Sequence, residues 1–136
     1  MNDTPQKAAV RRFYDEVWNR RDLTRLAEIL NEAITFRGSL GPELRGREAF
    51  AAYVDAIHGA LADYRCDIIE LVEEGAKVVA RMRFGGVHRG PLLGFPATHR
   101  RVEWAGSAHF TFADGRIADV WVLGDLHALT QQLRSA

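Results

Sequence analysis

The sequence HFTFADGRIADVWVLGD, from His109 to Asp125, contains the clearest β-hairpin signal in the chain. Asp114-Gly115 suits a two-residue loop in which both residues have positive φ, and apolar-rich runs flank it on both sides. The sequence therefore predicts two antiparallel strands, Arg100 to Phe112 and Arg116 to Leu123, joined by a tight turn.

The register of this hairpin predicts which side chains share a face of the sheet. Counting outward from Ala113 opposite Arg116 gives every residue a partner, and side chains alternate between the two faces. One face, which is bulky, aromatic and acidic at its far end, would carry Trp104, Phe110, Phe112, Ile117, Trp121, Leu123 and Asp125. The opposite face would carry Ser107, His109, Thr111, Ala118, Val120 and Val122.

Asp125 is the candidate proton acceptor, because it would lie opposite Trp104 on a face that also carries Trp121. A carboxylate beside two tryptophans would be poorly hydrated, which raises its pKa and makes it a usable base near neutral pH. Asp is also a favoured N-cap residue, and a helix from Leu126 to Arg134 follows directly. Residue types alone favour the capping role.

Length and composition restrict the class of protein. The 136 residues are enough for a single domain, residues 1–136, with one core that buries roughly two-thirds of the unfolded surface. Eighteen basic and eighteen acidic residues give zero formal charge without long runs of one sign, which argues against nucleic-acid or membrane partners. One cysteine, Cys66, excludes an internal disulfide. No apolar run approaches the ~20 residues that span a bilayer, so we expect a cytoplasmic protein.

The remaining segments predict helices first and long strands after them. Helical spacing is present in the set Val10, Phe13, Tyr14, Val17 and Trp18, in the set Leu23, Leu26, Ala27 and Leu30 behind the cap Asp22, and from Arg47 to about Ala62. Strands are predicted for Ala33 to Arg37, Tyr64 to Val72 and Lys77 to Val87. Between them, Gly38 to Gly46 contains three glycines and a proline, and would form a loop long enough to rim a pocket.

This order of elements predicts an α+β domain with helices packed on one face of a curved antiparallel sheet. The space between the concave face and the helices would form a cavity for a small apolar or aromatic molecule. The other face carries Val120, Val122 and Thr111, which is too apolar for exposure to water. We therefore expect a homodimer through the sheet.

Motifs along nearly the whole chain resemble the SnoaL-like polyketide cyclase family, whose members are often labelled ester cyclases. The matching motifs are Phe13-Tyr14, Trp18-Asn19, Phe36-Arg37-Gly38, Gly46, Phe50, Gly86-Val87-His88-Arg89-Gly90, Gly94-Phe95-Pro96-Ala97-Thr98, Arg100-Arg101-Val102, Asp114-Gly115-Arg116-Ile117, Trp121, Asp125 and Leu129. The resemblance implies a nuclear-transport-factor-like cone. It also implies that Asp125 is the general acid/base for intramolecular aldol closure of a polyketide ester. The family's usual Pro-Pro-Thr-Gly reads Pro96-Ala97-Thr98-His99 here.

His88 is the second candidate catalytic residue, because it matches a recurrent histidine at the family's cavity wall. A neutral imidazole there could donate to a substrate carbonyl or orient Asp125, or it could only fasten a loop to the backbone. Candidate substrate-binding residues are the aromatic set Tyr14, Trp18, Phe36, Tyr53, Trp104, Phe110 and Trp121, whose alternative role is core packing. Tyr14 and Tyr53 could also steady an oxyanion.

No motif indicates a metal or a cofactor. Five scattered histidines and one cysteine form no ligand spacing, and no nucleotide-binding loop or nucleophile elbow is present, so we expect neither. The leading hypothesis is a cofactor-free cyclase or isomerase that uses Asp125 on an apolar carbonyl compound. The alternatives are a non-catalytic binding protein with the same cavity, and an epoxide hydrolase-like enzyme that would add Asp119 and Arg101.

Overall fold

A computed structural model describes residues 3–134, in which helices pack against one face of a six-stranded sheet. The helical segments are α1 (Pro5–Arg12), a π-helix (Phe13–Asn19), a 3-10 turn (Leu23–Arg25), α2 (Leu26–Ile29), α3 (Arg47–Ala60) and α4 (Leu126–Arg134). The strands are β1 (Leu30–Arg37), β2 (Glu43–Arg45), β3 (Leu61–Glu74), β4 (Lys77–His88), β5 (Arg101–Ala113) and β6 (Arg116–Gly124).

The sheet has the order β2-β1-β6-β5-β4-β3 and is mostly antiparallel. The prediction of an antiparallel sheet is confirmed apart from one pair, because β1 pairs with β6 in parallel. This is possible because β2, α3 and the strands β3 to β5 separate β1 from β6 along the chain. The strand β2 lies within the predicted loop Gly38 to Gly46 and pairs with the end of β1.

The first helix changes type halfway. Thr4 caps it by accepting the Lys7 N–H, and Pro5 occupies its first turn, where a missing N–H costs nothing. From Phe13 onward the turns widen into a π-helix that ends at Asn19. The predicted apolar face is nevertheless confirmed, because Val10, Phe13, Tyr14, Val17 and Trp18 are all buried.

The C-terminal hairpin begins as predicted and then departs from the predicted register. Asp114 and Gly115 both have positive φ, at 53° and 78°, and Phe112 pairs with Ile117. The next pair is Thr111 with Asp119, so Ala118 is an extra residue in β6. Such a bulge moves every later residue of its strand to the opposite face.

The bulge overturns the predicted faces of β6. Trp121 and Leu123 lie on the outer face, with 40% and 52% of their surfaces exposed, whereas Val120 and Val122 are buried on the inner face. The expectation that Val120 and Val122 form an apolar outer surface is therefore wrong. Thr111, on β5, faces outward as predicted, because it pairs with Asp119 in a row next to that of Trp121.

The helices cover the inner face, where rings make the main contacts. Phe13 stacks on Phe50 of α3 and meets Phe110 of β5 edge-on, with ring centroids 5.5 and 5.4 Å apart. This cluster closes one end of the space between sheet and helices and leaves the other end open as a cavity. No helix within residues 3–134 is long and apolar enough to cross a membrane.

Candidate active-site cavity

The cavity lies between the π-helix, α3 and the inner face of the sheet. Its free volume is ≈ 30 Å³, far below the ~300–1,000 Å³ of sites that hold small molecules, so the walls must move apart to admit a flat ligand. Its walls are formed by Tyr14, Trp18, Phe36, Gly38, Ser39, Leu40, Tyr53, Ile57, Tyr64, Cys66, Phe84, Trp104 and Val122. None of these side chains is charged, so the cavity suits a neutral, flat ligand.

The structure brings five of the seven predicted substrate-binding residues to this cavity, namely Tyr14, Trp18, Phe36, Tyr53 and Trp104. Phe110 is fully buried behind them and packs edge-on against Tyr14, at 5.9 Å between ring centroids. Trp121 lies on the outer face because of the bulge at Ala118. Placing Phe110 and Trp121 in the pocket wall was therefore wrong.

The π-helix fixes the position of the aromatic wall. Trp18, near its end, meets Tyr53 and Tyr64 edge-on, with ring centroids 6.0 and 5.5 Å apart. The Trp18 carbonyl accepts a hydrogen bond from His58 Nε2 at 2.8 Å, which satisfies a helix-end carbonyl without an intrahelical partner. Burial lowers the pKa of His58, which keeps this imidazole neutral.

The polar atoms of the cavity wall are hydrogen-bond donors rather than bases. Burial raises the pKa of Tyr14 and Tyr64 well above the ordinary value, and it raises the pKa of Tyr53 to about 12. Burial also raises the pKa of the Cys66 thiol, which hydrogen-bonds to Tyr64. All four groups therefore stay protonated at neutral pH, and a proton acceptor must come from elsewhere.

The mouth of the cavity is formed by the loop after β1 and by the end of β6. A Cβ on Gly38 or Gly41 would lie 2.8 Å from Tyr53 atoms, so only glycine lets this loop lie so close to the Tyr53 ring. A Cβ on Gly124 would lie 2.9 Å from Ser39 Oγ and 3.1 Å from Trp104 Nε1. The residue before Asp125 therefore adjoins the cavity mouth.

Asp125 itself is exposed and does not point into the cavity. Its Oδ1 accepts the Ala128 N–H at 3.0 Å, which caps α4, and its own N–H donates to the Ala105 carbonyl at 2.8 Å. This last bond continues the β5–β6 ladder, in which Asp125 falls on the outer face. The expected inward-pointing carboxyl between two tryptophans is therefore wrong, and the capping alternative is correct.

His88 is fully buried but does not line the cavity. Its Nδ1 accepts the Thr98 N–H at 3.2 Å and lies 3.0 Å from Thr98 Oγ1. Its Nε2 is buried without a hydrogen-bond partner within residues 3–134. The geometry matches the alternative in which His88 fastens the loop between β4 and β5.

The additional groups needed for an epoxide hydrolase do not meet. Asp119 accepts a hydrogen bond from the Thr35 hydroxyl on the neighbouring strand β1. Arg101 Nε lies 3.6 Å from Glu103 Oε1. Neither residue lines the cavity. In the part of the chain that the structure describes, no three His, Cys, Asp or Glu side chains cluster as a metal site would require.

Sequence reasoning missed most of the cavity wall on β3, β4 and the β1 loop. Tyr64, Cys66 and Phe84 alternate with exposed residues, so strand parity could have identified them. Gly38, Ser39 and Leu40 lie in the segment predicted as a pocket rim. Val122 was assigned to the wrong face because the sequence shows no sign of the bulge.

Comparisons with known proteins agree with this architecture. Aklanonic acid methyl ester cyclase DnrD of Streptomyces peucetius is 36% identical over 107 residues, which cover 76% of this chain and 74% of that protein. Aklanonic acid methyl ester cyclase DauD of Streptomyces sp. strain C5 is 35% identical over 119 residues, with coverage of 85% and 73%. The structure of TsrD from Streptomyces laurentii superposes with a TM-score of 0.86 at 29% identity, over 100% and 99% of the two chains.

The fold is the nuclear-transport-factor-like α+β fold that the motifs predicted. A sequence model of the SnoaL-like polyketide cyclases matches residues 8–133, which is nearly the entire chain. This chain therefore belongs to the SnoaL-like polyketide cyclase family.

Proposed function

We propose that this protein is a cofactor-independent cyclase that closes a ring in a polyketide ester held in the aromatic cavity. The observation that carries the proposal is a neutral cavity, lined by rings and phenols, in a chain about 35% identical to two aklanonic acid methyl ester cyclases. Aromatic walls bind a flat polyketide by ring contacts. The uncharged lining suits a neutral ester group placed near the cavity mouth.

Asp125 is the proposed general acid/base. Among residues 3–134 the cavity wall includes no carboxylate or imidazole, and Asp125 directly follows Gly124, whose α-carbon adjoins Ser39 and Trp104 at the mouth. For catalysis, the Asp125 side chain turns away from the Ala128 N–H toward a substrate in the mouth. It takes the proton α to the ester carbonyl, and the electron pair passes onto the carbonyl oxygen as an enolate. That carbon then attacks a ketone of the same molecule, and the protonated carboxyl returns its proton to the new alkoxide.

The test compares Asp125→Asn with Asp125→Ala in turnover of aklanonic acid methyl ester, with Asp114→Asn as the control. Asn keeps the helix cap but cannot take the proton, so kcat should fall by about 10²–10⁴-fold while the ester still binds. Asp114 lies in the exposed hairpin turn, so its variant should retain full activity. Unchanged turnover by Asp125→Asn would contradict the assigned base.

A binding protein without chemistry is the second candidate. It is favoured by the exposure of Asp125 and by its existing hydrogen bond to Ala128. It predicts that the wild-type protein binds the ester in the cavity and returns it unchanged. A single incubation of ester with the wild-type protein, followed by chromatography, separates the two candidates.

We also propose a homodimer through the outer face of the sheet, on residues other than those first expected. Trp121 and Leu123 form the exposed apolar part of this face on β6. Across β5, Asp119 aligns with Lys77 and Trp121 aligns with Val79. A twofold axis along β5 would exchange β6 with β4, which brings Asp119 to Lys77 and Trp121 to Val79, while Leu123 would face Arg81.

Sedimentation at micromolar concentration tests this dimer. Trp121→Glu should yield a monomer, because it places a charge at the centre of the contact. Leu93→Glu is the control, since Leu93 is 41% exposed but lies in the loop after β4. A weak dimer has a dissociation constant on the order of 100 micromolar. If the wild type is still a monomer at about that concentration, the proposal is wrong.

A further inference from the structure

The cavity mouth holds two hydrogen-bond donors that take no part in the proposed proton transfer by Asp125. Trp104 Nε1 and Ser39 Oγ both border the point where a Cβ on Gly124 would lie, at 3.1 and 2.9 Å. The indole N–H can only donate, and the hydroxyl can rotate to donate. Within residues 3–134 neither group donates to a protein acceptor, and neither is among the fully buried polar atoms without a partner, so both reach the open side of the cavity.

These two donors come from separate parts of the chain and meet at one place. Trp104 is on β5, where its ring packs against Tyr64 and Phe84 with centroids 6.2 and 5.7 Å apart, so its orientation is fixed. Ser39 lies in the loop held against Tyr53. Gly124 separates them, and any side chain at this position would fill the space over its α-carbon.

We infer that Trp104 Nε1–H and Ser39 Oγ–H form a two-donor site for a ligand carbonyl oxygen at the cavity mouth, beside Asp125. This inference rests on the proposed function and adds to it the groups that receive the negative charge. When a base removes the proton α to the carbonyl, charge develops on that oxygen, and fixed donors stabilise it more than they stabilise the neutral carbonyl group. The requirement for glycine at position 124 follows, because a Cβ would displace the hydroxyl.

The experiment uses two neutral ligands that differ in a single group. 2-Acetylnaphthalene has the carbonyl, and 2-isopropenylnaphthalene replaces its oxygen with a CH₂ of similar shape. Binding is measured by titration of the wild-type protein, and the indole N–H signals of Trp18, Trp104 and Trp121 are followed by ¹⁵N–¹H NMR. Trp104→Phe assigns the signal, and the other two indoles serve as internal controls.

We expect only the ketone to shift the Trp104 N–H signal downfield. Trp104→Phe and Ser39→Ala should each weaken ketone binding by about 2- to 10-fold and change binding of the alkene by less than about twofold. Gly124→Ala should abolish the preference for the ketone. Gly59→Ala is the matched control, because a Cβ there meets nothing within 4 Å, and it should bind both ligands as the wild type does.

The outcomes separate this inference from the proposed function. If the wild type binds both ligands equally and the ketone does not shift the Trp104 N–H signal, the two-donor site is wrong. The cavity would still be a ligand site. If neither ligand binds, both the inference and the assigned cavity are overturned. Loss of turnover in Asp125→Asn with an intact ketone preference would support both.

Discussion

The indole of Trp121 meets the imidazole of His109 edge-on, with ring centroids 5.4 Å apart, on the outer face of the sheet. The Arg37 guanidinium lies 5.1 Å from the Trp121 ring on the neighbouring strand. Three strands thus contribute one exposed row of polar and aromatic side chains. Trp121 gains cation–π and ring contacts there, but it buries much less surface than a core tryptophan does.

The two tryptophans of the C-terminal hairpin should therefore differ in their effect on stability. Trp104→Ala removes a buried ring and should lower the free energy of unfolding by about 3–5 kcal/mol. Trp121→Ala loses an exposed cation–π contact and should cost about 1 kcal/mol or less. Urea denaturation at a concentration where the protein is monomeric measures both changes. Equal losses would show that Trp121 is a core residue.

The tautomer of His88 can also be predicted. Because the Thr98 N–H donates to Nδ1, the neutral ring carries its proton on Nε2. The ¹⁵N chemical shifts of His88 should show an unprotonated Nδ1 and a protonated Nε2. His88→Phe leaves the Thr98 N–H without its acceptor and should cost about 1–3 kcal/mol. His127→Gln, on the exposed side of α4, is the control and should cost almost nothing.

Stability should fall at alkaline pH in two steps. Burial raises the pKa of Cys66 and of Tyr14, Tyr53 and Tyr64 in the folded protein, so the unfolded chain loses these protons first. These groups contribute fully to the free energy of unfolding below their pKa values in the unfolded chain, about 8.5 for Cys and about 10 for Tyr. The contribution is lost as pH rises above those values. Cys66→Ala should delay the onset from about pH 8.5 to about pH 10. Denaturation curves recorded from about pH 7 to about pH 11, which spans these pKa values, measure the pH at which stability begins to fall. The same onset in Cys66→Ala and in the wild type would contradict the prediction.

The loop between β4 and β5 contains a strained histidine. His99 has a φ of 59°, which lies in the left-handed region that favours glycine. His99→Gly should raise the free energy of unfolding by about 0.5–1 kcal/mol, because relief of the left-handed penalty exceeds the entropic cost of glycine. The same change at His109, in extended β5, should instead destabilise by about 0.5–1 kcal/mol. Similar losses at both positions would rule out strain at His99.

Much of the architecture was predictable because it depends on local patterns. Helical spacing located α1, α3 and α4, and Asp114-Gly115 located the turn of the last hairpin. The cap Asp22 also behaves as predicted and accepts the Thr24 N–H at 3.2 Å. The conversion of the first helix to a π-helix was not predictable, because one buried face suits either helix type.

The candidate site was less predictable, because it depends on long-range register. A one-residue bulge at Ala118 carries no sequence signal, since alanine fits a regular strand as well. It reverses the faces of Trp121, Val122 and Asp125, so strand parity failed for all three. Tyr14, Trp18 and Tyr53 were located correctly, because helical periodicity placed them without reference to the sheet.

The extra residue at Ala118 has an evolutionary consequence for this protein. Deletion of this one codon would restore the regular ladder and turn the acid at position 125 from solvent toward the chamber, while the hairpin turn keeps its place. The same deletion would turn Trp121 to the inner face and Val120 and Val122 to the outer face. Insertions and deletions inside a strand, and not only in loops, can therefore exchange the chemistry on the two sides of this sheet.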